Sequence, residues 1–337
     1  MKKIAFLPDA VNLRYPGYLK ILEPILKRSE NYKITYNEEV LDDSWMIIPF
    51  GVIKSAEYSN KGLPVAYLID SVSLGYGSVF KFYLRRLKFF HPELWLNLLR
   101  YIKYAPLEKR IVHGYKKVIV ASKHDAEYLN RRYGRSNVVA IQNGVDVDMK
   151  YVNVNQENSA YKFEYRIGML NYWGAGKPHD FTWFVDEILP SLRSHFPSIR
   201  VILAGRGGSD ELIKYLEKNG CEFVGEVEYL TDFFASIDIC VTSMRKECGI
   251  LNKALDAFAH KKIVVGFEPN MKAFSDLHRG FLTYKNSHEM IECIEFVRDR
   301  PGDVLEIQNN AYRYVLKNND WDQKMNDFEQ IFADIDG

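Results

Sequence analysis

The chain has 337 residues, a length that predicts two domains. Apolar residues make up 47% of it and charged residues 26%, ordinary globular usage that excludes disorder, collagen and coiled coil. Forty-five Lys plus Arg against forty-four Asp plus Glu leave a formal charge of +1, so no global basic field exists to hold nucleic acid and any anion must be bound locally.

In chain order, the first apolar run, 4–7, is cut by Pro8-Asp9 and is too short for a signal-peptide core. No run of 18 apolar residues follows, so a cytoplasmic, non-spanning protein is expected. Short apolar runs at 4–7, 45–50, 65–69, 118–121 and 138–141 alternate with helical stretches, which predicts a parallel sheet covered by helices. Residues 151–161 are polar and patternless and read as a linker. The alternation restarts with strands expected at 165–170, 200–204, 222–224, 239–242 and 263–266, and helices at 181–196, 210–218 and 251–259. After Pro301 only helical patterning remains, at 304–316 and 321–335. The expected organisation is therefore a doubly wound domain over 1–155, a second over 160–310, and terminal helices over 311–337 packing across both. Such α/β pairs bind ligands in a cleft at the carboxyl ends of their strands. Cys221, Cys240, Cys248 and Cys293 show no metal-ligand spacing, so reduced thiols and no metal site are expected.

The most informative stretch is 244–259. A strand ends, Gly249 lets the backbone approach a ligand, and a helix begins, so free amides at Gly249, Ile250 and Leu251 have the geometry that binds phosphate. Lys253 and Asp256 share one face of that helix. There a cation could meet a diphosphate and a carboxylate could accept from ribose hydroxyls; a plain surface ion pair is the alternative.

This stretch, Gly249-Ile250-Leu251-Asn252-Lys253-Ala254-Leu255-Asp256-Ala257, resembles the donor-site signature of retaining glycosyltransferases of the family 4 type with the GT-B fold. The likeness continues in Val118-Ile119-Val120-Ala121-Ser122-Lys123, in Gln142-Asn143-Gly144-Val145-Asp146, in Gly168-Met169-Leu170-Asn171 and in Phe223-Val224-Gly225-Glu226-Val227, covering about residues 116–274. It implies two Rossmann-like domains of the GT-B type. Gly249 and Ile250 would offer amides to the donor sugar and phosphates, Lys253 would lie near the diphosphate, and Asp256 stands where the family has a ribose-binding glutamate. The signature's first glutamate falls on Cys248, with Glu247 one residue earlier as the candidate for the donor sugar's hydroxyls. Gly225 and Val227, with the glycine loop 205–208, would lie near the base. That loop lacks the third glycine of a dinucleotide fingerprint, so a nicotinamide enzyme is disfavoured. In Gly174-Ala175-Gly176-Lys177, Lys177 could reach the diphosphate, or the loop is a plain turn.

In the first domain Gly17 occupies the slot of the family's glycine loop, with Arg14 beside it. Asp70 follows a middle strand where many relatives carry a histidine; it could orient or deprotonate an acceptor hydroxyl, or cap the next helix. His113 and His124 lie near element ends with no spacing for a catalytic pair. Residues 79–110 hold eight aromatics and eight Lys or Arg against two Glu, locally +6. Lys81, Arg85 and Lys88 recur on one face and Phe80, Leu84 and Leu87 on another, the pattern of an interfacial helix drawn to anionic lipid; a core helix with snorkelling cations or an oligomer interface are the alternatives.

The resemblance implies a metal-independent hexosyltransferase that needs no cofactor beyond its nucleoside diphosphate sugar. It would act with retention on a glycan or lipid-linked glycan in surface polysaccharide synthesis. A sugar-nucleotide epimerase or hydrolase of the same fold, and a noncatalytic partner subunit, are the alternatives.

Overall fold

A computed structural model describes residues 2–9, 19–36, 45–145, 163–173 and 178–336. Gly17, Arg14, Lys177 and the linker 151–161 lie outside them. The described residues form two six-stranded parallel sheets in two compact units. One unit comprises Met1–Gly144, Lys246–Ile250 and Asn318–Gly337; the other comprises Val145–Arg245 and Leu251–Lys317.

The first sheet has the order β2-β1-β3-β4-β5-β6, with β1 at Lys2–Pro8, β2 at Tyr32–Thr35, β3 at Trp45–Phe50, β4 at Val65–Ile69, β5 at Lys117–Val120 and β6 at Val138–Ala140. Every pair is parallel. The sheet is buried on both faces, which is why its inner strands read as continuous apolar runs instead of alternating. One face is closed by the last helix, Trp321–Asp336, whose Trp321, Met325, Phe328 and Phe332 recur at helical spacing against Ile4, Phe6, Ile48, Phe50 and Tyr67. Asn319 anchors its start, donating through its side-chain amide to Gln142 Oε1 (3.3 Å) and to the Asn143 carbonyl (2.8 Å). The turn beside it requires Gly144, because a Cβ there would come within 2.3 Å of the Trp321 ring. The other face carries Ala66, Leu68, Val118 and Val120 under the long helix Pro92–Gly114.

The second sheet runs β12-β11-β10-β7-β8-β9, with β7 at Arg166–Leu170, β8 at Arg200–Ala204, β9 at Cys221–Gly225, β10 at Ile239–Thr242, β11 at Ile263–Phe267 and β12 at Leu282–Tyr284. Asp238 pins the amino ends of β7 and β10 together: its carboxylate accepts from the amides of Glu164 and Arg166 and from the Arg166 guanidinium. β10 and β11 are buried along their whole length, as a central parallel strand requires. The expected helix over 181–196 is broken in type: Pro178–Trp183 and Leu189–His195 flank a π turn at Phe184–Ile188. Pro190 explains part of this, since it offers no amide to the preceding turn.

Candidate functional site

In the second unit the strand order reverses between β10 and β7, and the crevice outside the carboxyl ends at such a switch point is where open α/β sheets bind ligands. Lys253 lies there. It belongs to the first turn of the helix Asn252–Ala259, which follows β10, and its Nζ donates to Asn171 Oδ1 at 3.3 Å, just beyond the end of β7. Asn171 is held in turn, its amide donating to the Ala204 carbonyl (3.0 Å) at the end of β8. Gly205 makes this close approach possible: its φ is 132°, and a Cβ would fall 1.7 Å from the Asn171 carbonyl oxygen. Gly205 then donates to the Gly225 carbonyl (2.7 Å), and Arg206 pairs with Glu226, joining the loops after β8 and β9.

The helix that carries Lys253 starts at Leu251, whose apolar side chain makes no capping hydrogen bond. Its first-turn amides and the Lys253 ammonium therefore give this end of the sheet positive polarity. Asp256, half-buried on the same helix, and Lys253 both act on the thiol of Cys240 beneath them, in opposite directions; burial dominates and pushes that thiol up to about 12. Arg245, almost wholly buried, donates to Asp180 Oδ1 (2.9 Å), which braces the chain as it leaves β10. Val227 is half-buried in the loop after β9. The second unit thus gathers Lys253, Asp256 and the glycine loops at 205–208 and 225–227, together with Asn171, which sequence reasoning used only as part of a motif.

The first unit gathers a different set around Asp70. β4 ends in an irregularity of its pairing with β5, and Ile69 takes φ 72°, a left-handed conformation costly for a β-branched residue. The strain turns the chain so that the Ile69 carbonyl receives the Ala121 amide (2.6 Å). Asp70 comes next, and it does not cap the following helix. Ser71 is the cap of Val72–Arg85, accepting from the Leu74 amide (3.2 Å).

Segment 246–250 packs against this same unit. The Cys248 thiol donates to Asp70 Oδ2 (3.8 Å) and fills the notch above Gly75, where a Cβ would come within 2.5 Å of its sulfur. Gly249, at φ 74°, lies against Asp70, and its amide donates to Asp125 Oδ2 at 2.7 Å. Glu247 Oε1 accepts from His124 Nε2 (3.1 Å), while its amide donates to Ser78 Oγ (3.0 Å). The expected donor residue Gly249 therefore meets Asp70 here with its own N–H engaged by the Asp125 carboxylate, while Glu247 pairs with His124.

Two acids in this cluster were not singled out from the sequence. Asp125 is almost wholly buried, and burial first, then the nearby Asp70, holds its carboxyl well above the usual range. Glu108 accepts from the Ser73 amide (2.9 Å) and from the Ser71 and Ser73 hydroxyls; burial pushes it up to about 7 against those hydrogen bonds. Asp125 was disguised as part of a helix start, since Ser122-Lys123-His124-Asp125 has the spacing of a capping box and Ser122 does cap that helix. A thiol suits the place beside them. Burial and the Asp70 charge hold Cys248 well above its ordinary value, so it stays neutral where a glutamate would add another buried charge. Among the described residues no group of three or more His, Cys, Asp or Glu is arranged to hold a metal ion.

Residues 167–298, most of them in the second unit, match the family model of glycosyl transferases group 1. No curated protein matches the sequence. The fold is that of GT-B glycosyltransferases. Sucrose-phosphate synthase from Thermosynechococcus elongatus superposes with a TM-score of 0.69 at 12% identity, covering 99% of each chain. HepE from Anabaena, solved with UDP, gives 0.60 at 15% identity, covering 98% of this chain and 100% of that one. A mutant of S. aureus TarM in complex with UDP gives 0.61 at 13% identity, covering 88% of this chain but 57% of that one, so this chain spans little more than half the length of TarM.

Proposed function

We propose that the chain transfers a hexose from a nucleoside diphosphate sugar to a glycan or lipid-linked glycan acceptor, with retention of anomeric configuration, in surface polysaccharide assembly at the inner face of the cell membrane. The observation that carries the reading is the position of Lys253 at the switch point of the second sheet, inside the segment that matches glycosyl transferases group 1. Structures of similar fold that were solved with UDP support a UDP-sugar donor.

Transfer leaves negative charge on the departing diphosphate. Lys253 and the amides of Ile250, Leu251 and the helix's first turn form a preorganised positive environment for that charge, the part a divalent cation plays in metal-dependent enzymes. Gly249 provides the left-handed turn that brings this backbone in. Asp256 accepts from the ribose hydroxyls, and Gly225 and Val227 flank the base. Gly17 and Lys177 remain candidates for the phosphates. On the first unit Asp70 orients the acceptor hydroxyl and receives its proton, while Glu247 contacts the donor sugar's hydroxyls. An acceptor that attacks from the side of the leaving group needs no enzyme nucleophile.

Following the anomeric proton of the product by NMR during turnover of UDP- and GDP-hexoses with a lipid-linked glycan acceptor tests this reading. An α-linked donor should give an α-linked product. An inverted product would remove retention, and donor breakdown at the same rate without acceptor would make the chain a hydrolase.

A further inference from the structure

The helices Val72–Arg85 and Pro92–Gly114 form an antiparallel hairpin in the first unit, and its apolar residues divide into two sets. Val79, Tyr83 and Leu94 are buried inside it, with Phe80 and Phe82 packed against them. Leu87, Phe89 and Phe90 at the tip, and Trp95, Leu99 and Ile102 along the second helix, face solvent, Phe90 completely. The last three recur at i, i+4 and i+7 and so continue the tip as one ridge of about 10 Å. The sequence pattern puts an interfacial apolar face on Phe80, Leu84 and Leu87 within 79–110. The helix ends at Arg85; of that apolar face Leu84 is exposed near its end and Leu87 just beyond it, and most of the exposed apolar surface lies further on.

This tip is built, not frayed. His91 caps the second helix by accepting from the Glu93 amide (3.2 Å) and stacks on Tyr83. Trp95 Nε1 donates to the Phe89 carbonyl (2.9 Å). Leu87 is held at φ 55° with 72% of its surface exposed. A bulky apolar residue there carries backbone strain and hydration cost together, an arrangement expected where the side chain is covered in use.

The charges around the ridge indicate what covers it. Of the two glutamates in this region, Glu108 is buried and Glu93 is bonded to Asn97, whereas Arg85, Lys88, Arg100 and Lys103 surround the apolar residues. A second copy of the same ridge would bring like charges together, and aliphatic Leu87, Leu99 and Ile102 offer nothing to nucleic-acid bases. An apolar interior beneath an anionic surface matches both features, with Trp95 at the boundary. We propose that this hairpin tip is a docking surface for a bilayer rich in anionic lipid. The apolar ridge enters the acyl boundary and the four cations lie at headgroup level. The contact is peripheral, since no helix among the described residues is long and apolar enough to cross a membrane. The inference goes beyond the transfer reading and is tested without donor or acceptor.

Flotation of the full chain with phosphatidylcholine vesicles, with and without phosphatidylglycerol, reads the proposal directly. The wild type should float with the anionic vesicles and only weakly with neutral ones. The Leu87→Ser/Phe89→Ser/Phe90→Ser variant should bind at least about ten-fold more weakly, and Arg85→Gln/Lys88→Gln/Arg100→Gln/Lys103→Gln should lose a similar factor, about ten-fold or more, with the remainder insensitive to salt. All of these side chains are exposed except the half-buried Lys88, so unchanged thermal unfolding certifies the variants. Wild-type binding indifferent to lipid charge, or equal binding by wild type and the tip variant, overturns the proposal. So does a wild-type dimer that the tip variant dissolves while neither binds vesicles, which would make a second copy the occupant. Vesicle binding by a chain that binds no nucleotide sugar would support this surface while removing the transfer reading.

Discussion

Asp125 does at the residue scale what the sequence disguised as capping: it holds the Gly249 amide just ahead of the Lys253 helix. Asp125→Asn keeps an acceptor there and removes an acid whose ionisation burial and Asp70 oppose, so it should be at least as stable as the wild type. Asp125→Ala leaves the amide unpaired and should cost about 1–3 kcal/mol in urea unfolding; equal stability of the two variants would show that the bond contributes nothing. Glu108 makes a prediction in pH. Its carboxyl is raised by burial to about 7, so between the ordinary carboxyl range and that value the folded protein holds a proton that the unfolded chain releases. The group's contribution is therefore complete at low pH and is lost as pH rises through about 7, a cost on the order of 3 kcal/mol. Glu108→Gln should gain stability relative to the wild type by about that amount from pH 5 to pH 8 in thermal or urea unfolding. Parallel pH profiles for the two proteins would refute the assignment. Neither acid could be read as special from the sequence, because each takes its character from burial among residues distant in the chain.

The helix Val72–Arg85 and the segment 246–250 fit together most closely at Gly75 under Cys248. Gly75→Ala would drive a Cβ into the thiol and should destabilise by about 1–3 kcal/mol, although alanine is the better helix former. Cys248→Ala opens that space, so adding Gly75→Ala to it should be neutral or stabilising by up to about 1 kcal/mol. Purely additive effects in this double-mutant cycle would show that the two residues do not touch. At this scale most elements were legible. Strands at 45–50 and 65–69 and the helix at 210–218 fall where the apolar pattern puts them. β2 and β12 were missed because both are edge strands of four residues or fewer, only partly buried, with too little alternation to register. The π turn at Phe184–Ile188 left no periodic signal either, since one extra residue in a turn barely disturbs an apolar stripe.

Across the whole molecule, strand–helix alternation was enough to anticipate two doubly wound sheets, because parallel strands buried on both faces are apolar throughout and easily recognised. The end of the chain carried less information. The helix Trp321–Asp336 completes the core of the first unit, whereas the helix before it lies almost entirely in the second, a division that sequence spacing does not encode. For the site, motif order pointed to Lys253 and its helix; the strained turn at Ile69 and the Asp70–Cys248–Gly249 contacts required coordinates. The central claim is that Lys253, at the switch point of the second sheet, receives the departing nucleotide. Thermal unfolding titrated with UDP and UDP-hexoses tests it most directly. The wild type should be stabilised progressively by ligand, while Lys253→Ala should unfold at the same temperature without ligand and lose most of the response. No shift of the wild type with any UDP or GDP sugar at millimolar concentration, or an equal shift in both proteins, would contradict the account.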